Sequence, residues 1–89
     1  MNEMHIRPHG IDKDEVVRRG HEVYERVIKP VTRPEDHGKF FAVDVISEDY
    51  EINEDDRTAS DLLRRRRPDG ARYLGRVGYP TTYTMRGFG

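Results

Sequence analysis

From Asp12 onward the apolar positions fall at helical spacing: Val16, Val17, Gly20, Val23, Tyr24, Val27 and Ile28 recur along one face. Arg18, Arg19, Glu22, Glu25 and Arg26 take the opposite, solvated face, and Asp12 with Glu15 three positions on has the capping-box spacing. The pattern predicts a first helix over Lys13 to Lys29, stopped by Pro30, which cannot continue the hydrogen-bond ladder. Residues 1–11 contain Pro8 and Gly10 and no apolar period, so they read as a flexible lead-in to a single domain over 12–89.

After a proline- and glycine-punctuated loop, Val31 to Lys39, the period changes. Phe40 to Ile46 is rich in β-branched and aromatic residues, with Phe41, Val43 and Val45 on one face and Phe40, Ala42, Asp44 and Ile46 on the other. Apolar character on both faces predicts a central strand. Ser47, Glu48 and Asp49 form a turn into a short strand, Tyr50 to Ile52, making a hairpin. Asn53 to Asp56 offers caps for a second, short helix with the narrow stripe Ala59, Leu62 and Leu63, ended by Pro68. Pro68-Asp69-Gly70 is a turn signature, Ala71 to Tyr79 alternates as a third strand, and Thr81 to Met85 reads as a fourth after a reversal at Gly78-Tyr79-Pro80. The expected fold is α+β, a small antiparallel sheet of about four strands with two helices in the order α-β-β-α-β-β. Both helices are expected on one face, leaving the other for a partner.

Composition sharpens this picture. The 89 residues are 34% hydrophobic and 37% charged, which leaves a thin core. Without cysteine there is no disulfide to staple it, and self-association as a homodimer becomes the expected route to stability. Sixteen basic against seventeen acidic residues give a net charge of -1, so no global field draws the chain to nucleic acid or an anionic membrane. No apolar run reaches the length of a membrane span and the first ten residues hold no signal-type apolar core, so a cytoplasmic location is expected.

Candidate chemistry is sparse. Arg64, Arg65, Arg66 and Arg67 could neutralise phosphates, with Arg72 and Arg76 extending the patch from a neighbouring strand. Consecutive helical positions point about 100° apart, however, and basic residues at a helix C-terminus complement the dipole, so the run reads first as helix-end electrostatics. The acidic stretch Glu48, Asp49, Glu51, Glu54, Asp55 and Asp56 lacks the spacing of a calcium loop and fits turns and helix N-termini. His5 and His9 have a four-residue spacing, but Pro8 breaks their shared helical face; His21 belongs to the polar side of the first helix. Asp44 inside an apolar strand is unusual, and a partner such as Arg76 or an edge-strand role is its plainest explanation. No nucleophile, base and orienting group assemble, so catalysis, a cofactor and a metal are not expected. Phe40, Tyr73, Tyr79 and Tyr83 supply the aromatic area that interfaces favour, with core packing as the competing role for the tyrosines.

Gly38-Lys39-Phe40-Phe41-Ala42-Val43-Asp44-Val45, Asp49-Tyr50-Glu51-Ile52, Arg67-Pro68-Asp69-Gly70-Ala71 and Arg76-Val77-Gly78-Tyr79, taken together, resemble a family of short, uncharacterised bacterial proteins over roughly Arg19 to Gly87. The chain departs from that pattern in a longer loop at Thr32 to His37, in the inserted Gly70 and in its additional N-terminal residues. The resemblance implies a bacterial source and, by analogy with small partner genes found beside toxin-antitoxin or protease-like neighbours, an antitoxin-like or regulatory binding role; it brings no reaction, no cofactor and no catalytic residue. The leading expectation is a non-catalytic protein-interaction module. The alternative is a nucleic-acid-binding regulator using the Arg64 to Arg67 surface.

Overall fold

Asp12 caps the first helix, α1 (Lys13–Val23), by accepting a hydrogen bond from the Glu15 N–H at 2.9 Å. The helical path then widens into a π-helical turn, Tyr24–Ile28, closed by the Lys29 N–H donating to the Tyr24 carbonyl, and tightens into a 3-10 turn over Lys29–Val31. Pro30 is therefore not the point of termination: it sits within this last turn, where its missing N–H removes no bond the tighter turn needs. A second 3-10 turn, Pro34–Asp36, leads to β1 (Phe40–Asp44), β2 (Tyr50–Asn53), α2 (Asp56–Arg66) and β3 (Arg72–Arg76). The computed structural model describes residues 10–79. The predicted fourth strand, Thr81 to Met85, Tyr83, the His5/His9 pair and most of the lead-in lie outside the described residues.

The fold is α+β: the described residues form two helices and a three-stranded antiparallel sheet in the order β2-β1-β3, with β1 central as its two apolar faces predict. β1 and β2 form a hairpin; the chain then crosses through α2 and returns on the far side of β1, so β2 and β3 run parallel with β1 between them.

One expectation is corrected here. The helices do not share a face. Val23, Tyr24 and Ile28 pack with Phe41, Val43, Val45, Tyr73 and Val77, whereas Ala59 and Leu63 of α2 pack with Ala42 and Leu74 on the opposite side. The alternation along β1 explains this: a strand apolar on both faces needs a cover on each. α1 carries the larger stripe and takes the larger side chains, while the narrow stripe of α2 suits the small Ala42. Gly20 lets α1 lie against β3, since a Cβ there would fall 2.2 Å from Cγ of Tyr73. On the same face Gly75 leaves room for the Phe41 ring, which a Cβ would meet at 2.5 Å.

Asp44 ties the turns together. It is 2% exposed, and its carboxylate accepts from the Ser47 N–H at 3.0 Å, the Ser47 hydroxyl at 2.6 Å and the Ala71 N–H at 2.8 Å. Neither Arg76 nor any other cation pairs with it among the described residues, so the partner expected from sequence is replaced by backbone and hydroxyl donors. Burial works to push its carboxyl up, but the donations from Ser47 and Ala71 outweigh that and hold it below the ordinary carboxylate value. Gly70 makes the approach possible: a Cβ there would lie 2.4 Å from Asp44 Oδ1. Across the hairpin, Glu48 adopts φ 69°, and the Arg26 guanidinium holds its carboxylate at 2.6 Å and 3.3 Å.

Candidate functional site

The two edges of the sheet differ. In the β1–β3 ladder the Val45 N–H donates to the Ala71 carbonyl and the Val77 N–H to the Lys39 carbonyl, which sets the inward-bonded residues of β3 at odd positions. Arg72, Leu74 and Arg76 therefore turn their backbone N–H groups away from β1, and no strand lies beyond β3 among the described residues. The Arg76 carbonyl accepts from the Tyr79 N–H at 3.2 Å. By the same alternation Tyr50 and Ile52 face outward on β2, but there the Tyr50 carbonyl accepts from Arg66 Nη2 at 3.1 Å.

At the end of the open edge three predicted residues come together. The Arg76 guanidinium lies 5.0 Å over the Phe40 ring and 4.5 Å over the Tyr79 ring, and its Nε donates to the Gly38 carbonyl at 3.3 Å. Tyr79 is 46% exposed and meets the His37 ring at 5.2 Å. A shallow hollow of about 430 Å³ runs beside them, with Lys39 and Glu54 on its rim. Two glycines build this corner: Gly38 (φ 90°) and Gly78 (φ 86°) take left-handed conformations, and a Cβ on Gly78 would strike the His37 ring at 2.7 Å. The corner is pinned by Gly38 N–H to the Val77 carbonyl at 2.9 Å and by Gly78 N–H to the Tyr24 hydroxyl at 3.0 Å. Tyr24 is itself stacked on Phe41 in the core, ring centroids 4.7 Å apart.

The other predicted site residues separate from this corner. Tyr73 is a core residue, 6% exposed, with Phe41 and His21 against its ring; its size and its place on the α1 face of β3 draw it inward, so it offers no interface area. His21 is not simply solvated: its ring meets Tyr73 edge-on at 5.3 Å, its Nε2 is buried without a hydrogen-bond partner among the described residues, and burial pulls its pKa down against a smaller opposing pull from Glu25. In the arginine run, Arg64 pairs with Asp61 at 2.8 Å and Arg67 with Asp49 at 3.4 Å. Arg66 forks onto Asp49 at 3.0 Å and 3.1 Å and also binds Glu51; these carboxylates hold its guanidinium more firmly protonated than usual. Arg65 and Arg72 have no ion pair among the described residues. Arg72 and Arg76 share the α2 face of β3 with Leu74 between them, about 13 Å apart along the strand. His37 was a sequence candidate only as a metal ligand, and Leu74 and the positive-φ glycines were not singled out from sequence as site residues; the two glycines flanking the Lys39–Val77 segment pairing were the available signal.

Among the described residues this is a small α+β domain whose β2 edge is met by Arg66 and whose β3 edge has no strand beyond it. No protein-family model, curated protein or solved structure matches the chain. Among the described residues no helix is long and apolar enough to cross a membrane.

Proposed function

We propose that the protein is a non-catalytic protein-interaction module that binds an extended segment of its partner as an added strand on the β3 edge. The observation that carries this reading is the juxtaposition, at one end of that edge, of outward backbone N–H groups with an arginine sandwiched between Phe40 and Tyr79. Backbone pairing supplies affinity in strand addition, and side-chain contacts on alternate positions supply selectivity. Phe40 and Tyr79 give apolar area, and Arg76, held in place by both rings, gives a preorganised donor. The nucleic-acid alternative draws less support, because three of the four consecutive arginines are engaged by carboxylates.

Selection of a random peptide library on the immobilised full chain tests the reading. The enriched peptides are expected to lose binding to Arg72→Pro, which removes an outward N–H at the first residue of an edge strand and leaves the β1–β3 ladder intact. A melting curve establishes that the variant is folded. Failure to enrich any peptide, or enriched peptides indifferent to Arg72→Pro, overturns the reading.

A further inference from the structure

Resting on strand addition at β3, we infer that the segment this edge accepts is acidic, with Asp or Glu at two positions four residues apart and an apolar residue midway. The outward residues Arg72, Leu74 and Arg76 project their side chains on one face, that of α2. A strand laid antiparallel along β3 places a residue directly opposite each of them, with side chains on the same face. Among the described residues Arg72 carries no ion pair, and Arg76 is held by two aromatic rings and the Gly38 carbonyl rather than by a carboxylate. Leu74 between them packs on Ala42 and Leu63, and is half-buried, leaving part of its surface to a newcomer. α2 lies chiefly over β1 and β2, so it leaves the outer side of β3 clear. Cation, apolar group and cation at alternate positions are complementary to acid, apolar group and acid.

Charge argues against a second copy at this edge, and backbone geometry against a polynucleotide. A second copy paired on β3 in full overlap around Leu74 would set each Arg72 opposite the Arg76 of the other chain, two like-charge pairs on one face. A polynucleotide would satisfy the guanidiniums, but its backbone offers no alternation of donors and acceptors to match a strand edge.

The test is fluorescence anisotropy of labelled synthetic peptides against the full chain. The probes carry the core Asp-Thr-Val-Thr-Asp between threonines, the same peptide with both aspartates replaced by lysine, and the same with both replaced by threonine; an oligothymidine competitor and light scattering accompany them. The aspartate peptide is expected to bind about tenfold tighter than the lysine peptide at low salt, the combined effect of two cross-strand charge pairs. The gap narrows as salt is added. On binding, the amides of Arg72, Leu74 and Arg76 become protected from hydrogen exchange, and Arg72→Gln, checked for folding by its melting curve, reduces the preference to about threefold, since one of the two charge pairs is gone. Equal binding of all three peptides with the same protection leaves strand addition standing and overturns the acidic preference. Amides already protected in the free protein, protection elsewhere, no binding of the aspartate peptide, a β3-paired dimer, or displacement by oligothymidine alone each overturn the inference, while strand addition is judged separately by the library selection.

Discussion

Replacing Asp44 by alanine is expected to lower stability by about 3 kcal/mol. The Ala71 N–H is the largest contribution: Ala71 is 2% exposed, so losing its acceptor leaves a buried donor unsatisfied, at a cost of about 1–3 kcal/mol. The two bonds from Ser47 add less, about 0.5–1.5 kcal/mol each, because Ser47 is exposed and its donors regain water. Removing the buried charge returns part of its desolvation cost, which keeps the total below the simple sum. Asp44→Asn is milder, about 1–2 kcal/mol: its carbonyl can keep facing Ala71, and the Ser47 hydroxyl can rotate to accept from the new amide, so chiefly the Ser47 N–H is orphaned. Urea unfolding at neutral pH measures both. The pH dependence supplies an independent check. Because the folded-state carboxyl is held below its ordinary value of 3.8, its contribution is present above that value and is lost as pH falls through it toward the lower folded value. The stability difference between the wild type and Asp44→Asn therefore shrinks below pH 3.8. An Asp44→Ala variant within ~0.5 kcal/mol of the wild type, or an asparagine variant as damaging as alanine, refutes Asp44 as the tie between the hairpin turn and β3.

Gly20→Ala is expected to destabilise the protein although alanine favours helix by about 1 kcal/mol, since overlap with Tyr73 costs about 1–3 kcal/mol; thermal unfolding reads the sign, and a stabilised variant sinks the close approach of α1 to β3. His21 is held neutral by burial, so the stability it permits is full above its ordinary value of 6.5 and falls as pH drops below it. His21→Phe removes the orphaned Nε2 and should flatten the stability profile just below pH 6.5, a window well above that of Asp44. Arg66→Ala bares the Tyr50 carbonyl on the β2 edge and should raise the aggregation rate seen by light scattering more than Arg65→Ala, which breaks no ion pair among the described residues; equal rates would refute the guarding role.

Much of the fold was legible in periodicity. The helical stripe of α1 and its Asp12 cap, the two-faced apolar pattern of β1, the hairpin into β2 and the Ala59/Leu63 stripe of α2 all have direct local causes. The placement of the helices was not legible, because periodicity tells which residues are buried and not which face of a sheet receives each helix. The signal was nonetheless in β1, where Ala42 between Phe41 and Val43 calls for a small-residue cover on the second face. The candidate site was legible in its parts: Phe40, Tyr79 and Arg76 were singled out for different reasons, register sets Phe40 opposite Arg76, and the turn at Gly78 brings Tyr79 back onto Arg76. Tyr73 shows the limit of composition, since an aromatic in an alternating strand belongs to core or interface according to its face. Asp44 shows another, because its partners are a turn and a backbone N–H 27 residues away in sequence, which no spacing rule anticipates.

The asymmetry of the sheet bears on why the open edge carries arginines. An exposed strand edge invites pairing with any other, and natural sheets suppress this with charges on the edge or with covers. β2 uses a cover: Arg66 caps its outward Tyr50 carbonyl and is locked there by Asp49 and Glu51. On β3 the Tyr79 N–H meets only the last outward carbonyl, that of Arg76, and Arg72 and Arg76 would repel another β3 edge in full overlap. Repulsion between like edges and attraction for an acidic edge are the same electrostatic property acting on two partners, so guarding and recognition are not competing explanations. They separate under mutation. If the two arginines serve only to guard, combining Arg72→Glu with Arg76→Glu, which sets carboxylates opposite one another between two overlapped copies, prevents β3 self-pairing as well as arginine does and gains nothing toward peptides; if they also select, the same double variant transfers preference from the aspartate peptide toward the lysine peptide while the protein remains monomeric.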